Sequence, residues 1–191
     1  MELLYQAIRT YISLAASEEP VVSTLFQKGS LEQGEHLLIS GNTCRHVSII
    51  ESGLVRYYIT DGNEENTYYF SSESEFVCDY ESFLPQVPSS KNIQALENTQ
   101  IYQISHYNLQ QLYLRLTHGE RLGRLAIEQV FVDAIKQITS LYNDSPEVRY
   151  QQFIRYYPKI VQRVPQYYIA SYVGVKPQSL SRIRKRIAGQ H

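Results

Sequence analysis

The chain has 191 residues, 43% of them hydrophobic, enough for one compact domain and a small second one without disulfide or metal staples. Its net charge of −1 conceals an uneven distribution: residues 149–191 hold 9 of the 18 Lys and Arg and no acid, leaving residues 1–148 with 9 bases against all 19 acids. No stretch reaches the roughly 20 apolar residues of a membrane-spanning helix, and Glu2 and Arg9 interrupt the N-terminal segment, so it does not read as a secretory signal.

In chain order, Leu3, Leu4, Ala7, Ile8, Tyr11 and Ile12 recur at helical spacing and predict an N-terminal helix. Residues 30–105 then read as short strands: 36–39, 47–50, 54–60, 67–70, 75–77, 93–96 and 101–104. Gly34, Gly41, Gly53 and Asp61-Gly62-Asn63 punctuate them where turns need a left-handed backbone. Many short strands at near-regular spacing predict an α+β protein whose N-terminal part is a sandwich or jelly roll. Cys44 and Cys78 have no partners at metal or iron–sulfur spacing, which suits a reducing cytoplasm; a disulfide between them stays open.

From about His118 to Tyr142 the period becomes helical. Ile127, Val130, Phe131, Ala134, Ile138 and Leu141 form one apolar stripe, and Leu122, Leu125, Gln129 and Val132 lie on another face. A helix apolar on two sides packs on its own domain and on a second partner, or else is buried within a monomer. Asn143-Asp144-Ser145-Pro146-Glu147 breaks it and starts another, with Ser145 as N-cap and Pro146 at the first helical position. The charge changes sign at the same place, so a boundary is expected there, with 144–191 as a separate domain.

Within that basic domain, 166–187 has a helix-turn-helix pattern. Ala170 is the small residue needed where two helices cross steeply, and Gly174 suits the left-handed backbone of the turn. Leu180 and Ile183 face inward with Ile169, Val173 and Val175, and Pro177 fits the first turn of the second helix. Gln178, Ser179, Ser181 and Arg182 are then the candidates for reading base edges, since Gln can pair bidentately with adenine and Arg with guanine. Lys176, Arg184, Lys185 and Arg186 are candidates for phosphate contacts, which position without specifying. An acid-free segment built this way points to double-stranded DNA as the partner.

With those residues in view, the chain resembles the cyclic-AMP receptor protein/FNR (Crp/Fnr) family of transcription regulators over nearly its whole length. A member of that family is among the standard examples of helix-turn-helix docking. The resemblance rests on Gly34-Glu35, Ser40-Gly41-Asn42 and Ile50-Glu51-Ser52-Gly53-Leu54-Val55-Arg56 in the strand region, together with the 118–142 helix and the Ala170/Gly174 motif. It implies a β-roll of the cyclic-nucleotide-binding type with its N-terminal helix over 1–117, a dimerisation helix over 118–143 and a DNA-binding domain over 144–191. It also implies a cytoplasmic homodimer joined through 118–142, with RNA polymerase as a further partner.

The family's base-reading positions fall on Pro177, Gln178 and Arg182, and Pro177 can donate no hydrogen bond. Where nucleotide-binding members carry a Gly-Glu pair and an Arg-Ser pair, this chain has Cys78-Asp79 and Ser89-Ser90. Asp79, Ser89, Ser90 and Lys91 are therefore the expected lining of an effector pocket. Ser89 cannot neutralise a phosphate as Arg does, and Lys91 would replace it only as a point charge. Cyclic AMP is therefore not the expected effector, no cofactor is predicted, and an effector of unknown chemistry or a purely scaffolding β-roll both stay open. The family's β-hairpin wing after the recognition helix is not expected, since the sequence ends at His191.

Two other classes compete. A jelly-roll metalloenzyme of the cupin type needs clustered His and Glu ligands. Here His36 and His46 stand ten apart with no third histidine near, and no Walker loop, dinucleotide fingerprint, nucleophile elbow or HExxH motif occurs, so no enzyme activity is expected. The other is a protein-interaction module whose basic tail grips an acidic partner.

Overall fold

The computed structural model describes residues 1–189 and divides into two compact units, one formed by Met1–Tyr57 and Phe70–Phe131, the other by Tyr58–Tyr69 and the chain from Val132 onward. The first unit begins with α1 (Glu2–Arg9), which buries Leu4, Ala7 and Ile8, and α2 (Glu19–Leu25), which buries Val22 and Leu25. Between them the Glu18 carboxylate accepts the Ala15 amide at 3.0 Å and the Thr117 amide at 2.7 Å. Those two backbone bonds hold its pKa below the usual carboxylate range.

Eight strands follow: β1 (Gln27–Leu31), β2 (His36–Leu38), β3 (His46–Ser52), β4 (Val55–Asp61), β5 (Glu64–Ser71), β6 (Phe76–Val77), β7 (Asn92–Ala95) and β8 (Thr99–Ser105). They form two four-stranded sheets, ordered β1-β8-β3-β6 and β2-β7-β4-β5. Every connection except the β4–β5 hairpin crosses from one sheet to the other, so the strands make a closed-up β-sandwich. The core of this unit includes Ile49, Ile50, Leu54, Val55, Phe70, Val77, Ile93 and Ile104, all almost fully buried.

All seven strand segments expected from the sequence lie within or overlap these strands. β1 was not among them, because Gln-Lys-Gly-Ser-Leu has no apolar alternation of its own. It is a strand because β8 pairs with it antiparallel, from Gln27 opposite Gln103 to Leu31 opposite Thr99. The turn at Gly53 shows why glycine stands there: φ is +115°, and a Cβ would lie 2.4 Å from Thr99 Oγ1 and 2.6 Å from its Cα.

Three short helices absent from the sequence reading complete this region. α3 (Tyr80–Phe83) follows β6, and α4 (His106–Arg115) is capped by Ser105, whose hydroxyl accepts the Asn108 amide at 3.2 Å. α2 is the third. α2 and α3 are too short to show a full amphipathic period, and α4 buries only Leu109 and Leu112, so periodicity passed over all three.

α5 (Gly119–Asn143) matches the predicted long helix within a residue at each end. Within its own chain it buries only Gly119 and Leu122. Phe131, Ile135, Ile138 and Leu141 are 64, 47, 51 and 52% exposed, so its apolar side has no cover in the monomer beyond the first turns.

The second unit holds α6 (Pro146–Tyr156), α7 (Gln166–Val173) and α8 (Pro177–Ala188), with the tip of the β4–β5 hairpin. Its core is Tyr150, Phe153, Ile160, Val164, Ile169, Ala170, Val173, Leu180 and Ile183, all buried. Phe153 stacks at 5.2 Å on both Tyr157 and Tyr172. Among the described residues no helix is long and apolar enough to cross a membrane.

Candidate nucleic-acid interface and effector pocket

The second unit presents its basic residues through a small set of backbone constraints. Ser145 caps α6 by accepting the Val148 amide at 3.3 Å, with Pro146 at the first helical position. Gly174 ends α7 with φ +77° and ψ +37°, and the Val175 amide reaches back to Ala170 O at 2.9 Å. This is the six-to-one closure of a glycine-terminated helix. Ala170 is wholly buried at the α7–α8 crossing, and Leu180 and Ile183 are the buried residues of α8.

Arg149, the first base of the acid-free tail, is used internally. Its Nε donates to Val173 O at 2.8 Å and its Nη1 to Asp144 O at 2.8 Å, so it ties off carbonyls at two helix ends.

On α8 the positions Pro177, Gln178, Ser179, Ser181, Arg182, Arg184, Lys185 and Arg186 are all exposed, as is Lys176 before it. Helical geometry puts Gln178, Ser181, Arg182 and Lys185 on one face, with Ser179 and Arg186 to one side and Arg184 to the other. The phosphate candidates are not equivalent. Lys176 Nζ is 2.7 Å from Glu64 at the hairpin tip, and Arg186 Nη1 is 2.7 Å from Glu147 on α6. Lys176 holds the Glu64 carboxyl below its ordinary pKa. Among the described residues Arg182, Arg184 and Lys185 have no ion-pair partner, so the uncommitted charge sits at the middle of the helix.

The hairpin touches the same region at its backbone. The Thr67 backbone amide donates to Ser171 Oγ at 2.8 Å, the Ser171 hydroxyl donates to Glu65 O at 3.2 Å, and the Gln137 side-chain Nε2 donates to Tyr68 O. Sequence reasoning missed these contacts, since nothing in Glu64 to Tyr69 signals partners 69 to 106 residues away.

In the first unit, three of the four expected pocket residues come together and the fourth does not. Asp79 and Ser89 are buried, at 4 and 5% exposure. The Ser89 hydroxyl donates to Asp79 Oδ2 at 2.7 Å, and Lys91 Nζ lies 2.9 Å from Asp79 Oδ1 and 2.8 Å from Glu81 Oε2. The Lys91 amide donates to Ser89 Oγ at 2.9 Å. Ser90 is exposed beside them. The polar groups at this place thus satisfy one another, and the single cation faces two carboxylates. An incoming phosphate would have to break the Lys91–Asp79 pair, which costs more when one partner is buried.

Arg56 supplies another buried charge that the sequence reading gave only as part of a motif. It is 1% exposed and donates to Gln94 Oε1 through Nε at 3.0 Å and Nη2 at 2.6 Å. Gln94 in turn donates to Gly34 O at 2.9 Å. Arg56 therefore fixes the Gly34 turn from inside the sandwich. Among the described residues no three His, Cys, Asp or Glu side chains gather where they could hold a metal ion.

Residues 28–115 match the model of the cyclic nucleotide-binding domain. No curated protein matches the chain. Among solved structures it is similar to FixK2 from Bradyrhizobium japonicum, at 13% identity and a TM-score of 0.76 over 86% of this chain and 85% of that one. It is also similar to a transcriptional regulator of the Crp/Fnr family from Eubacterium rectale, at 12% identity and a TM-score of 0.70 over 95% and 88% of the two chains. The catabolite activator protein of Thermus thermophilus aligns at 19% identity with a TM-score of 0.60, over 96% of this chain and 87% of that one. Residues 28–115 thus match the cyclic nucleotide-binding domain, in a chain that shares its fold over most of its length with FixK2, the catabolite activator protein and the Crp/Fnr-family regulator.

Proposed function

We propose that the chain is a transcription regulator of the Crp/Fnr type: a jelly-roll domain joined by α5, as dimer helix, to a helix-turn-helix that reads DNA through α8. The observation that carries this reading is the outer face of α8, where Gln178, Ser181, Arg182 and Lys185 stand exposed on a helix whose opposite side buries Leu180 and Ile183. Two copies joined along the uncovered side of α5 would present two such helices to successive major grooves, about 34–36 Å apart. RNA polymerase fits as a further partner of such a dimer, and the cytoplasm as its compartment. A binding role also fits the ligand chemistry better than an enzyme of the cupin type, whose metal would need a three-ligand cluster.

Selection from a random duplex pool at two salt concentrations tests this reading. Enrichment of an inverted repeat with helical-turn spacing is the expected result. Binding without sequence preference that fades as salt rises would reduce the basic tail to electrostatics and favour an interaction module with an acidic partner.

The effector of this regulator is not cyclic AMP. Its phosphate would meet Asp79 and Glu81, with Lys91 already committed to both. Calorimetry with cyclic AMP is expected to show no binding at micromolar concentrations. A micromolar dissociation constant would overturn the point.

A further inference from the structure

A cavity of about 250 Å³ opens beside β2, β3 and β6 in the first unit, and it has both cysteines in its wall. Cys44 and Cys78 are 7 and 9% exposed, and their sulfur atoms lie 4.0 Å apart with nothing between them. Ile39, Asn42, Arg45 and His46, which also line the cavity, are exposed, so it communicates with solvent.

We propose that Cys44 and Cys78 are a reversible dithiol–disulfide switch, oxidised through this cavity by a small two-electron oxidant of the peroxide class.

The geometry needs little movement. Closing 4.0 Å to the roughly 2.05 Å of a disulfide moves each sulfur by about 1 Å. The two thiols also have unequal roles. The hydrogen bond between the two sulfurs, aided by the Asp79 backbone, outweighs burial and lowers Cys44 to about 7, whereas burial pushes Cys78 up. Cys44, followed in the chain by the exposed Arg45 and His46 that line the cavity, is the attacking thiolate, and Cys78 the resolving thiol. The Cys44 thiolate attacks one oxygen of hydrogen peroxide, the O–O bond breaks, and the departing hydroxide takes up a proton as water, leaving a sulfenic acid. The Cys78 sulfur then attacks the Cys44 sulfur, the S–O bond breaks, and the hydroxide leaves with the Cys78 proton as a second water. Two thiols and one peroxide give one disulfide and two waters; two equivalents of a small thiol reverse the reaction by exchange.

The switch acts on the segment that carries the pocket. The Cys44 amide donates to Ser82 Oγ at 2.9 Å, its neighbour Thr43 bridges to Pro88, and Cys78 directly precedes Asp79. Both cysteines thus adjoin the 78–91 segment, and a bond between them ties the Thr43–Cys44 backbone covalently to the residue before Asp79. Oxidation state becomes an input to the same place an effector would use.

The test is peptide mapping of the full chain after exposure to micromolar hydrogen peroxide, with unfolding and alkylation of the remaining thiols. The expected product is a single species linking the Cys44 and Cys78 peptides of one chain, restored to two alkylated thiols by dithiothreitol. In Cys78→Ser, dimedone should trap a sulfenic acid at Cys44, and in Cys44→Ser the remaining thiol should survive the same exposure. Full alkylation of both cysteines in the unsubstituted protein after peroxide, or disulfides formed only between chains, would overturn the proposal without touching the DNA-binding reading.

Discussion

Arg182→Ala is expected to weaken binding to the selected operator by about 1–3 kcal/mol, a factor of roughly 5 to 150, and to relax the preference at one base pair of each half-site. Arg182 is exposed on the same face as Gln178 and Ser181 and has no ion-pair partner among the described residues, so nothing in the free protein competes for its guanidinium. The loss should be smaller on scrambled duplexes, because a base contact contributes nothing there. Lys176→Ala is the contrast. Lys176 already lies 2.7 Å from Glu64, so binding DNA exchanges one carboxylate for one phosphate and the net gain shrinks. It should lower affinity little, and evenly across sequences, with the salt dependence of binding falling by no more than about one unit. Quantitative binding isotherms on the operator and on scrambled duplexes check both variants. If Arg182→Ala weakened every sequence equally, Arg182 would be a phosphate contact and the reading edge of α8 would shift to Gln178 and Ser181.

The contrast between Arg182 and Lys176 also shows where a sequence is informative. The face of α8 follows from local rules: Pro177 sets the first turn, Leu180 and Ile183 mark the inside, and the outside is whatever remains. Strand segments followed from alternation and turn residues in the same way, down to the turn at Gly53. β1 was invisible because its identity is supplied by β8, α2 and α3 because one or two turns hold too few apolar positions, and α4 because it buries only Leu109 and Leu112. The commitments of Lys176 to Glu64, Arg186 to Glu147 and Lys91 to Asp79 and Glu81 were equally out of reach, since each depends on a partner placed by the fold. Charge counting treats these bases as free; the fold decides which of them are. The same holds for the cysteines, 34 positions apart in sequence and in sulfur contact in the sandwich.

Placing glutamate at both Phe131 and Ile138 on α5 is expected to convert the protein to a monomer while leaving each chain folded. The two side chains are 64 and 51% exposed, so their replacement removes little packing within the monomer, and surface changes of this kind usually alter stability by about 0.5 kcal/mol or less. Across a dimer interface the same change sets carboxylates against an apolar stripe, where each must be desolvated without a partner. A monomer carries one reading helix instead of two. Loss of the second, tethered contact should lower apparent affinity for the inverted repeat by about 10²–10⁴-fold, while affinity for an isolated half-site stays unchanged. Sedimentation and thermal unfolding, run beside the binding assay, separate the outcomes. If the variant sediments as the unsubstituted protein does and keeps full operator affinity, the exposed stripe of α5 is not the dimer contact. If it unfolds at a much lower temperature, the stripe packs within its own chain. The distinctive expectation is the combination: a folded monomer, an intact half-site and a lost operator, which an interface running along α5 would produce.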